Sequence, residues 1–469
     1  MNYNNELKKE LKQRHMTMIS IGGVIGGGLF IGSGVVINST GPGAVLAYLS
    51  VGVLIIFLMR MLGEMATVFP SSGSFSAYAH NEIGPWAGYT SGWLYWFFWA
   101  VVIPAEAMMA AAIIHEWFPS LHVGILSFSI IAIMALTNFG SVKAFGEFEY
   151  WFAIIKVTAI VLFLILGAAI ILGWVPNVEK PGVSNLLDRG GFLPNGITSI
   201  LVGITIVVFA FPGIEIVTIA AGESPDPQKS VMKAINSVVW RVFVFYVGSI
   251  SILVTVLPWD SSALLKSPFV IVLEMVGIPY AADIMNLIIL TAVLSMLNSA
   301  LYTASRMLYS LAQKGDAPRI FGRVNKNGAP FWGVVGSTFF SWVFFFSGTA
   351  AYDKIFLFLV NASGAIMLLV YLVVPITQLY MRKRLERENP EALIVKMWLF
   401  PSLTYITIGS IVSILGFMAF IDSARPQLIS TLVLAALVLV SYFISKLGKE
   451  KPSTYEGGTQ SLTKGKRSV

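Results

Sequence analysis

The sequence lacks cysteine altogether and has only four histidines among its 469 residues. The absence of cysteine excludes disulfides, thiolate nucleophiles and cysteine-ligated metals. The histidines lie near the ends of apolar segments, and no two of them have the spacing of a metal site; they are His15, His80, His115 and His122. The GxGxxG, Walker and HExxH patterns are also absent, which removes support for a glycine-rich phosphate loop and for zinc peptidase chemistry. We therefore predict a protein that is not an enzyme and has no cofactor.

Charged residues are scarce as well. They make up 12% of the chain and hydrophobic residues 56%, whereas a soluble domain has about 25% charged residues. The formal net charge is +7, but the basic residues lie between apolar segments. No nucleic-acid partner is therefore expected. The composition predicts an all-α, polytopic membrane protein whose surroundings are the lipid bilayer.

Twelve apolar segments reach the roughly 20 residues that a helix needs to cross a bilayer. The eighth extends to about Gln313 and is longer than the hydrocarbon layer is thick, so we expect it to tilt or to project into the cytoplasm. The predicted spans begin near Met16, Pro42, Pro85, Gly124, Tyr150, Asn195, Ser237, Asp283, Gly333, Ile355, Met397 and Pro426.

The distribution of basic residues predicts the orientation. If both termini are cytoplasmic, the outside loops hold five of the 31 basic residues, namely Lys180, Arg189, Lys266, Lys354 and Arg425. Lysine and arginine are enriched in cytoplasmic loops, so this asymmetry favours an even number of spans. We expect a cytoplasmic segment at 1–15, no cleavable signal peptide, and a polar, disordered cytoplasmic tail at 448–469.

Two of the spans contain residues that interrupt a helix. The first carries GGVIGGGLFIGSG at 22–34, where seven of the thirteen residues are glycine, and we expect it to break at 26–28. The sixth carries a proline in its middle, in Phe211-Pro212-Gly213, which removes a backbone hydrogen bond. Each interrupted span opens a block of five, a pattern typical of inverted repeats with a binding site at the breaks. The predicted repeats cover 16–174 and 195–381, and two further spans cover 397–447.

The glycines of the first span have two interpretations. They form three GxxxG pairs, Gly22/Gly26, Gly23/Gly27 and Gly28/Gly32. Such pairs allow helices to approach each other closely. Alternatively, the glycines unwind the helix, so that free N–H groups face an anion and free carbonyl groups face a cation in a cavity. The matching interruption in the sixth span favours a binding site.

Two glutamates within the spans also have more than one interpretation. Glu106, in the third span, is either a buried carboxyl that orders the bundle or a functional group that faces the interior. Glu215 follows the sixth-span proline. It either caps freed N–H groups or binds a proton or a substrate ammonium, and these roles are compatible.

Lys156 is a basic residue within the fifth span. It either extends its amine to the inner interface or buries it between helices in place of a metal cation. Glu223 lies at the cytoplasmic end of the sixth span, where we expect a structural role. Phe209 is the aromatic residue at the sixth-span break.

Several stretches together resemble the bacterial amino acid transporter family of the amino acid–polyamine–organocation superfamily. They include RHMTMISIGGVIGGGLFIGSG, FGEFEYWFAIIKV, FAFPGIEIVTIAAGESPDP and LNSALYTASRMLYSLAQKGDAP. The likeness covers essentially the whole chain. Within the family, IGPWAGYTSGWLYWFFWAVVIPAEA and NASGAIMLLVYLV look most like the γ-aminobutyrate (GABA) permeases. The proline of FAFPGIE is a departure, since relatives often have methionine, glutamine or isoleucine there.

The resemblance implies a LeuT-type fold of five plus five helices in inverted repeats, with twelve transmembrane helices of which 1 and 6 are discontinuous. It also implies a bacterial plasma membrane location and proton-coupled uptake. By motif, the substrate carboxylate would meet the first-span backbone at Gly26, Gly27 and Gly28, beside Val24.

The resemblance assigns roles to other residues as well. The substrate ammonium would meet sixth-span carbonyl groups near Phe209 and Ala210. Lys156 matches the family's fifth-span lysine, near the position that sodium occupies in sodium-coupled relatives. Glu215 matches the proton-sensitive acidic residue after the sixth-span break.

We therefore predict a secondary active transporter that takes up GABA, or a closely related small zwitterion, with protons by alternating access. GABA holds its charges farther apart than an α-amino acid does, so a carboxylate deeper in the site, Glu106 or Glu215, would bind its ammonium. The alternatives are a proton symporter for another α-amino acid, a transporter-like amino acid sensor and a channel. The scarcity of charged residues in the spans disfavours a channel, and the short tails offer no evident signalling site.

Overall fold

The computed structural model describes residues 7–23, 25–265, 267–346 and 365–447. Val24, the predicted start of the tenth span at Ile355 and the tail at 448–469 lie outside these residues. The described residues contain helices and turns but no strand. The helices are α1 (Gln13–Gly22), α2 (Gly27–Phe30), α3 (Gly32–Thr40), α4 (Ala44–Val68), α5 (Ser74–Glu82), α6 (Pro85–Trp117), α7 (Val123–Phe139), α8 (Val142–Leu172), α9 (Ser184–Leu187), α10 (Ile197–Val207), α11 (Ile216–Ala220), α12 (Pro227–Arg241), α13 (Ser249–Val256), α14 (Pro268–Met275), α15 (Ala281–Gln313), α16 (Phe331–Ser337), α17 (Phe339–Phe346), α18 (Ile366–Glu388), α19 (Ser402–Met418) and α20 (Arg425–Leu447).

Seven helical stretches within the described part of the chain are long and apolar enough to cross a membrane. They are Gly32–Val68, Pro85–Trp117, Val142–Leu172, Pro227–Val256, Ala281–Gln313, Ile366–Glu388 and Arg425–Lys446. The first of them includes a turn at Gly41–Gly43, where Gly41 has φ 68°, a conformation that glycine adopts readily. These helices fit the predicted polytopic membrane protein, while the count of twelve spans stays a prediction.

Two helices begin earlier than predicted. The fifth span was expected from Tyr150 and the seventh from Ser237, but α8 begins at Val142 and α12 at Pro227. Ser141 accepts a hydrogen bond from the Ala144 N–H, and Asp226 accepts one from the Lys229 N–H. These caps satisfy N–H groups that a helix start leaves free, so both helices extend through polar sequence that hydropathy alone assigns to loops.

The first predicted span is interrupted as expected at Gly26, but the break extends toward the N-terminus and not to Gly27 and Gly28. We use "first break" for its described non-helical residues Gly23, Ile25 and Gly26, which separate α1 from α2. The expected position, 26–28, is wrong for Gly27 and Gly28, which are helical. Gly26 is extended (φ −136°, ψ −164°) and its carbonyl accepts from the Leu29 N–H, so helical bonding resumes directly after it.

The sixth predicted span is interrupted where we expected. After α10 the chain makes one 3₁₀ turn, Val208–Ala210, and α11 begins only at Ile216. We use "second break" for Phe211–Glu215. The two interrupted segments lie among long continuous helices: α1 packs on α8, α2 contacts the 3₁₀ turn, and α15 packs extensively on α6.

Three helices were not predicted because they are too short to span a bilayer: α5, α9 and α14. α5 has 9 residues and packs on α6, and α14 has 8 residues and packs on α15. A search for apolar runs of about 20 residues does not detect helices of this length.

Candidate substrate-binding site

The two breaks contact each other through glycine. A Cβ atom on Gly213 would lie 2.0 Å from the Gly23 carbonyl oxygen, and Gly213 has φ 110°. A Cβ atom on Gly28 would lie 3.0 Å from the Ala210 Cα. The glycines therefore let the interrupted segments approach closely, as the packing interpretation predicts, and the chain also leaves the helical conformation at both breaks. The binding of an anion and a cation at the breaks stays a prediction.

A cavity of about 70 Å³ opens beside this contact. Six of the predicted substrate residues line it together: Gly26, Gly27, Gly28, Glu106, Phe209 and Ala210. The remaining lining residues, which we did not predict, are Phe98, Trp99, Val102, Pro212 and Met296. The cavity thus has backbone of both interrupted segments, an apolar and aromatic wall, and one carboxyl group.

Glu106 provides that carboxyl group from the middle of α6. Its Oε2 atom is buried, and no described residue makes a hydrogen bond to it. A buried polar atom without a partner is unfavourable by about 1–3 kcal/mol, and more when charged. A carboxyl that served only to order the bundle would be expected to have hydrogen-bond donors around it. Glu106 instead presents an unsatisfied oxygen at a cavity wall, which suits a cationic group.

Glu215 is the last residue of the second break and is not part of the cavity lining. Its carboxyl accepts hydrogen bonds from the Tyr95 hydroxyl at 2.7 Å, the Tyr371 hydroxyl at 3.0 Å and the Gly213 N–H at 3.1 Å. The carboxyl therefore accepts from a free N–H group of the break itself, while α11 receives from it no side-chain capping bond of the kind that the sequence had suggested. This carboxyl fixes the second break against α6 and α18 and leaves Glu106 as the carboxyl that faces the cavity.

The Ala210 carbonyl, expected to face a substrate ammonium, already has a partner. It accepts a hydrogen bond from the Tyr246 hydroxyl at 3.0 Å. A carbonyl oxygen has two acceptor positions, so Tyr246 fixes this group and leaves one position for a further donor.

Lys156 does not extend to the interface, so that alternative is wrong. Its side chain is fully buried, and its amine has hydrogen-bond partners on two other helices. The amine donates to the Gly22 carbonyl, at the end of α1, and to the Ser295 hydroxyl of α15 at 2.8 Å. Lys156 therefore joins α1, α8 and α15 next to the N-terminal side of the first break, as expected of a buried cation between helices.

Comparison with known proteins agrees with this architecture. A family profile described as "Amino acid permease" matches residues 15–453. The chain belongs to the amino acid permease family. It is an integral membrane transporter of amino acids and not an enzyme, and the predicted family is confirmed.

Individual relatives align over nearly their whole lengths with this permease. It is 59% identical to the gamma-aminobutyric acid permease of Bacillus subtilis (strain 168) over 94% of each chain. It is 49% identical to the gamma-aminobutyric acid permease of Escherichia coli (strain K12) over 92% of each chain. It is also 40% identical to the aromatic amino acid transport protein of Corynebacterium glutamicum, over 94% of the permease and 96% of that protein.

Sequence reasoning missed Glu149 and Ser295, two further polar residues of the permease beside Lys156. Ser295 donates a hydrogen bond to Glu149 Oε1, which lies 3.9 Å from the Lys156 amine. A signal for Glu149 was present, because it precedes Lys156 by two helical turns and shares its face. Ser295 gave no such signal, since serine is common in membrane helices and only the tertiary packing brings it to α8.

Proposed function

We propose that the permease takes up GABA, or a small zwitterion with similarly spaced charges, together with protons. One observation carries the proposal. A small cavity between the two breaks has glycine backbone on one wall and the unpartnered oxygen of Glu106 on another. A solute with one carboxylate and one ammonium complements both walls without adding net charge.

The binding mode follows from the polarity of the lining. The first N–H groups of a helix have no intrahelical acceptor, so the start of α2 at Gly26, Gly27 and Gly28 suits the substrate carboxylate. Glu106 suits the ammonium. The free position on the Ala210 carbonyl offers the ammonium a second acceptor, Phe209 adds an apolar contact, and Val24 remains a proposed neighbour of the carboxylate.

The relatives support GABA as the substrate. Two proteins named as gamma-aminobutyric acid permeases are 59% and 49% identical to this chain over more than nine-tenths of its length. A relative named for aromatic amino acids, at 40% identity, favours an α-amino acid as the alternative substrate.

We propose Lys156 and Glu215 as the proton-coupling residues. A buried amine that is hydrogen-bonded to the end of α1 binds it more weakly after losing a proton, because hydrogen bonds from a charged donor are roughly twice as strong as neutral ones. The surrounding architecture that we propose is twelve spans in a bacterial plasma membrane, with LeuT-type inverted repeats at 16–174 and 195–381, two peripheral spans at 397–447, and both termini, 1–15 and 448–469, in the cytoplasm.

Uptake by the purified, reconstituted permease tests the proposal. We expect saturable GABA accumulation that is driven by an inward proton gradient, needs no sodium, and is inhibited more by GABA and β-alanine than by α-amino acids. Glu106→Gln should raise the KM for GABA by at least about tenfold, or about 1.4 kcal/mol, because the ammonium loses its charged partner.

Glu116→Gln is the matched control, since Glu116 lies on the same helix but is exposed and bonded to Asn286. It should leave the KM unchanged. An unchanged KM in Glu106→Gln would remove Glu106 from the site, strict sodium dependence would remove proton coupling, and a preference for an α-amino acid over GABA would favour the alternative substrate.

A further inference from the structure

A continuous chain of hydrogen bonds joins two buried ionisable groups next to the first break. The Lys156 amine donates to the Ser295 hydroxyl at 2.8 Å, and the same hydroxyl donates to Glu149 Oε1. The side chains of Lys156 and Glu149 are both fully buried. Ser295 thus accepts from the cation and donates to the carboxylate, which is the arrangement through which a proton can pass by stepwise exchange.

Both ends of this chain contact the last residue of α1. Lys156 donates to the Gly22 carbonyl. On the other side, a Cβ atom on Gly22 would lie 3.1 Å from Glu149 Oε1 and 2.7 Å from the Ala153 Cβ. The polar chain and the lower half of the first interrupted segment are therefore in direct contact, and a change in the first alters the packing of the second.

The second carboxylate oxygen of Glu149 can make a hydrogen bond or accept a proton, and its present contacts do not use it. Glu149 Oε2 is buried and makes no hydrogen bond to any described residue. A carboxyl that takes up a proton can place it on such an oxygen or receive it at Oε1. In this position a protonated Glu149 is easier to accommodate than a charged one once Lys156 is neutral, because a lone buried charge is strongly unfavourable.

We propose that Ser295 and Glu149 form a proton relay for Lys156, an inference that rests on the proposed proton coupling. In the transfer, a Lys156 N–H bond breaks and a proton moves to Ser295 Oγ, while the Ser295 hydroxyl proton moves to Glu149. The products are a neutral amine, a re-formed serine hydroxyl and a neutral carboxylic acid. The pair has no net charge before or after the step, so the proton moves without burying additional charge.

The relay has a mechanical consequence at α1. A protonated Lys156 makes a charge-assisted hydrogen bond to the Gly22 carbonyl, and a neutral amine makes a weaker one. Transfer to Glu149 therefore loosens the end of α1 at the edge of the substrate cavity. Ser295 acts in this step as a positioning and relay residue, since it does not line the cavity.

Few other charged groups face the relay. From α6, Glu106 interacts electrostatically with Lys156. From α1, His15 contacts α8 one turn below Glu149, where it bonds to Glu147, which also pairs with Arg14. α15 contributes Ser295 itself with its neighbours Asn298 and Ser299, and α7 and α13 have no ionisable residue in their described sequences.

The test separates substrate exchange from proton-driven accumulation in proteoliposomes that contain the full chain. GABA counterflow needs binding and reorientation of the loaded carrier but no net proton movement. Accumulation of GABA against its gradient does need net proton movement, which an internal pH-sensitive dye reports. The external pH is varied from about 5 to 8. The variants are Ser295→Ala, which removes the relay hydroxyl, and Glu149→Gln, which keeps the shape of the acceptor. Ser249→Ala is the matched control, because Ser249 is a buried serine whose hydroxyl has no partner among the described residues.

We expect both relay variants to keep counterflow within about twofold of the parent, but to lose proton-driven accumulation by at least about tenfold and to show a flattened pH profile, as for loss of a proton-transfer group. The control should match the parent in both assays. Parental accumulation and pH dependence in either relay variant would overturn the relay, as would equal loss of counterflow and accumulation in both, which indicates a structural role. A parent that exchanges GABA but moves no protons would instead refute the proposed coupling, and the relay with it.

Discussion

At the scale of single residues, Gly213 forms the tightest described contact between the two breaks. Its φ of 110° lies in a region that residues with a side chain rarely adopt, and it contacts the Gly23 backbone more closely than any Cβ atom permits. Its N–H also donates to Glu215. Gly213 therefore sets the backbone conformation of the second break, contacts the first break and binds the Glu215 carboxyl.

Substitution of Gly213 tests this interpretation. Gly213→Ala should destabilise the permease by about 1–3 kcal/mol, from backbone strain and from the clash with Gly23, and should reduce GABA uptake. The measurements are thermal unfolding in detergent and uptake in proteoliposomes.

Gly32→Ala, in the first interrupted segment, is the control glycine substitution. A Cβ atom on Gly32 would meet nothing within 4 Å, and alanine favours a helix over glycine by about 1 kcal/mol. This variant should be as stable as the parent or more so. Equal effects of the two substitutions would contradict the special role of Gly213.

The substrate residues that the sequence predicted share a recognisable property. Gly26, Gly27, Gly28 and Ala210 lie in or directly beside the two helix interruptions, which glycine and proline indicate in the local sequence, and Glu106 is a charge within an apolar span. Glu149 could have been predicted by the same reasoning, because it is a second charged residue on the helix face that carries Lys156. Ser295, Tyr95 and Tyr371 were not, because their importance arises only when distant helices pack together.

At the scale of helices, a buried ion pair fixes the lower end of the sixth segment. Arg306 of α15 lies 2.9 Å from the Glu223 carboxylate, which also accepts from the Tyr302 hydroxyl at 2.7 Å. Both charged side chains are almost completely buried. These contacts agree with the structural role predicted for Glu223. They join the chain after α11 to the long helix α15.

Breaking this pair should be costly. Arg306→Met leaves Glu223 as an uncompensated buried charge and should lower the free energy of unfolding by about 3 kcal/mol or more. Adding Glu223→Gln removes that charge, so the double variant should be more stable than Arg306→Met alone. Denaturation in detergent at neutral pH measures both effects. A double variant whose loss equals the sum of the two single losses would show that the residues do not interact.

Helix boundaries were predicted less well than helix identity. Hydropathy detects where a helix becomes apolar, whereas Ser141 and Asp226 start α8 and α12 in polar sequence through their caps. α5, α9 and α14 escaped prediction for the related reason that their lengths are below those of spans. These errors do not reach the cavity, because its lining residues lie in the two interrupted segments and in the interiors of α6 and α15, away from the misplaced helix ends.

At the scale of the whole molecule, the permease combines two kinds of segment. α6 and α15 are continuous over 33 residues each and pack extensively on one another. The two interrupted segments consist of short helical pieces that meet at glycine and are attached by single polar groups such as Lys156 and Glu215. This difference suits a transporter in which short pieces move against a continuous frame, as alternating access requires.

The central claim is that a zwitterion binds between the two breaks with its ammonium toward Glu106. An experimental structure of the permease in lipid nanodiscs with GABA bound tests it most directly. We predict density for GABA in the cavity between Gly26–Gly28 and Ala210, with its nitrogen within about 2.7–3.2 Å of a Glu106 oxygen. GABA bound elsewhere, or with its carboxylate toward Glu106, would contradict the account.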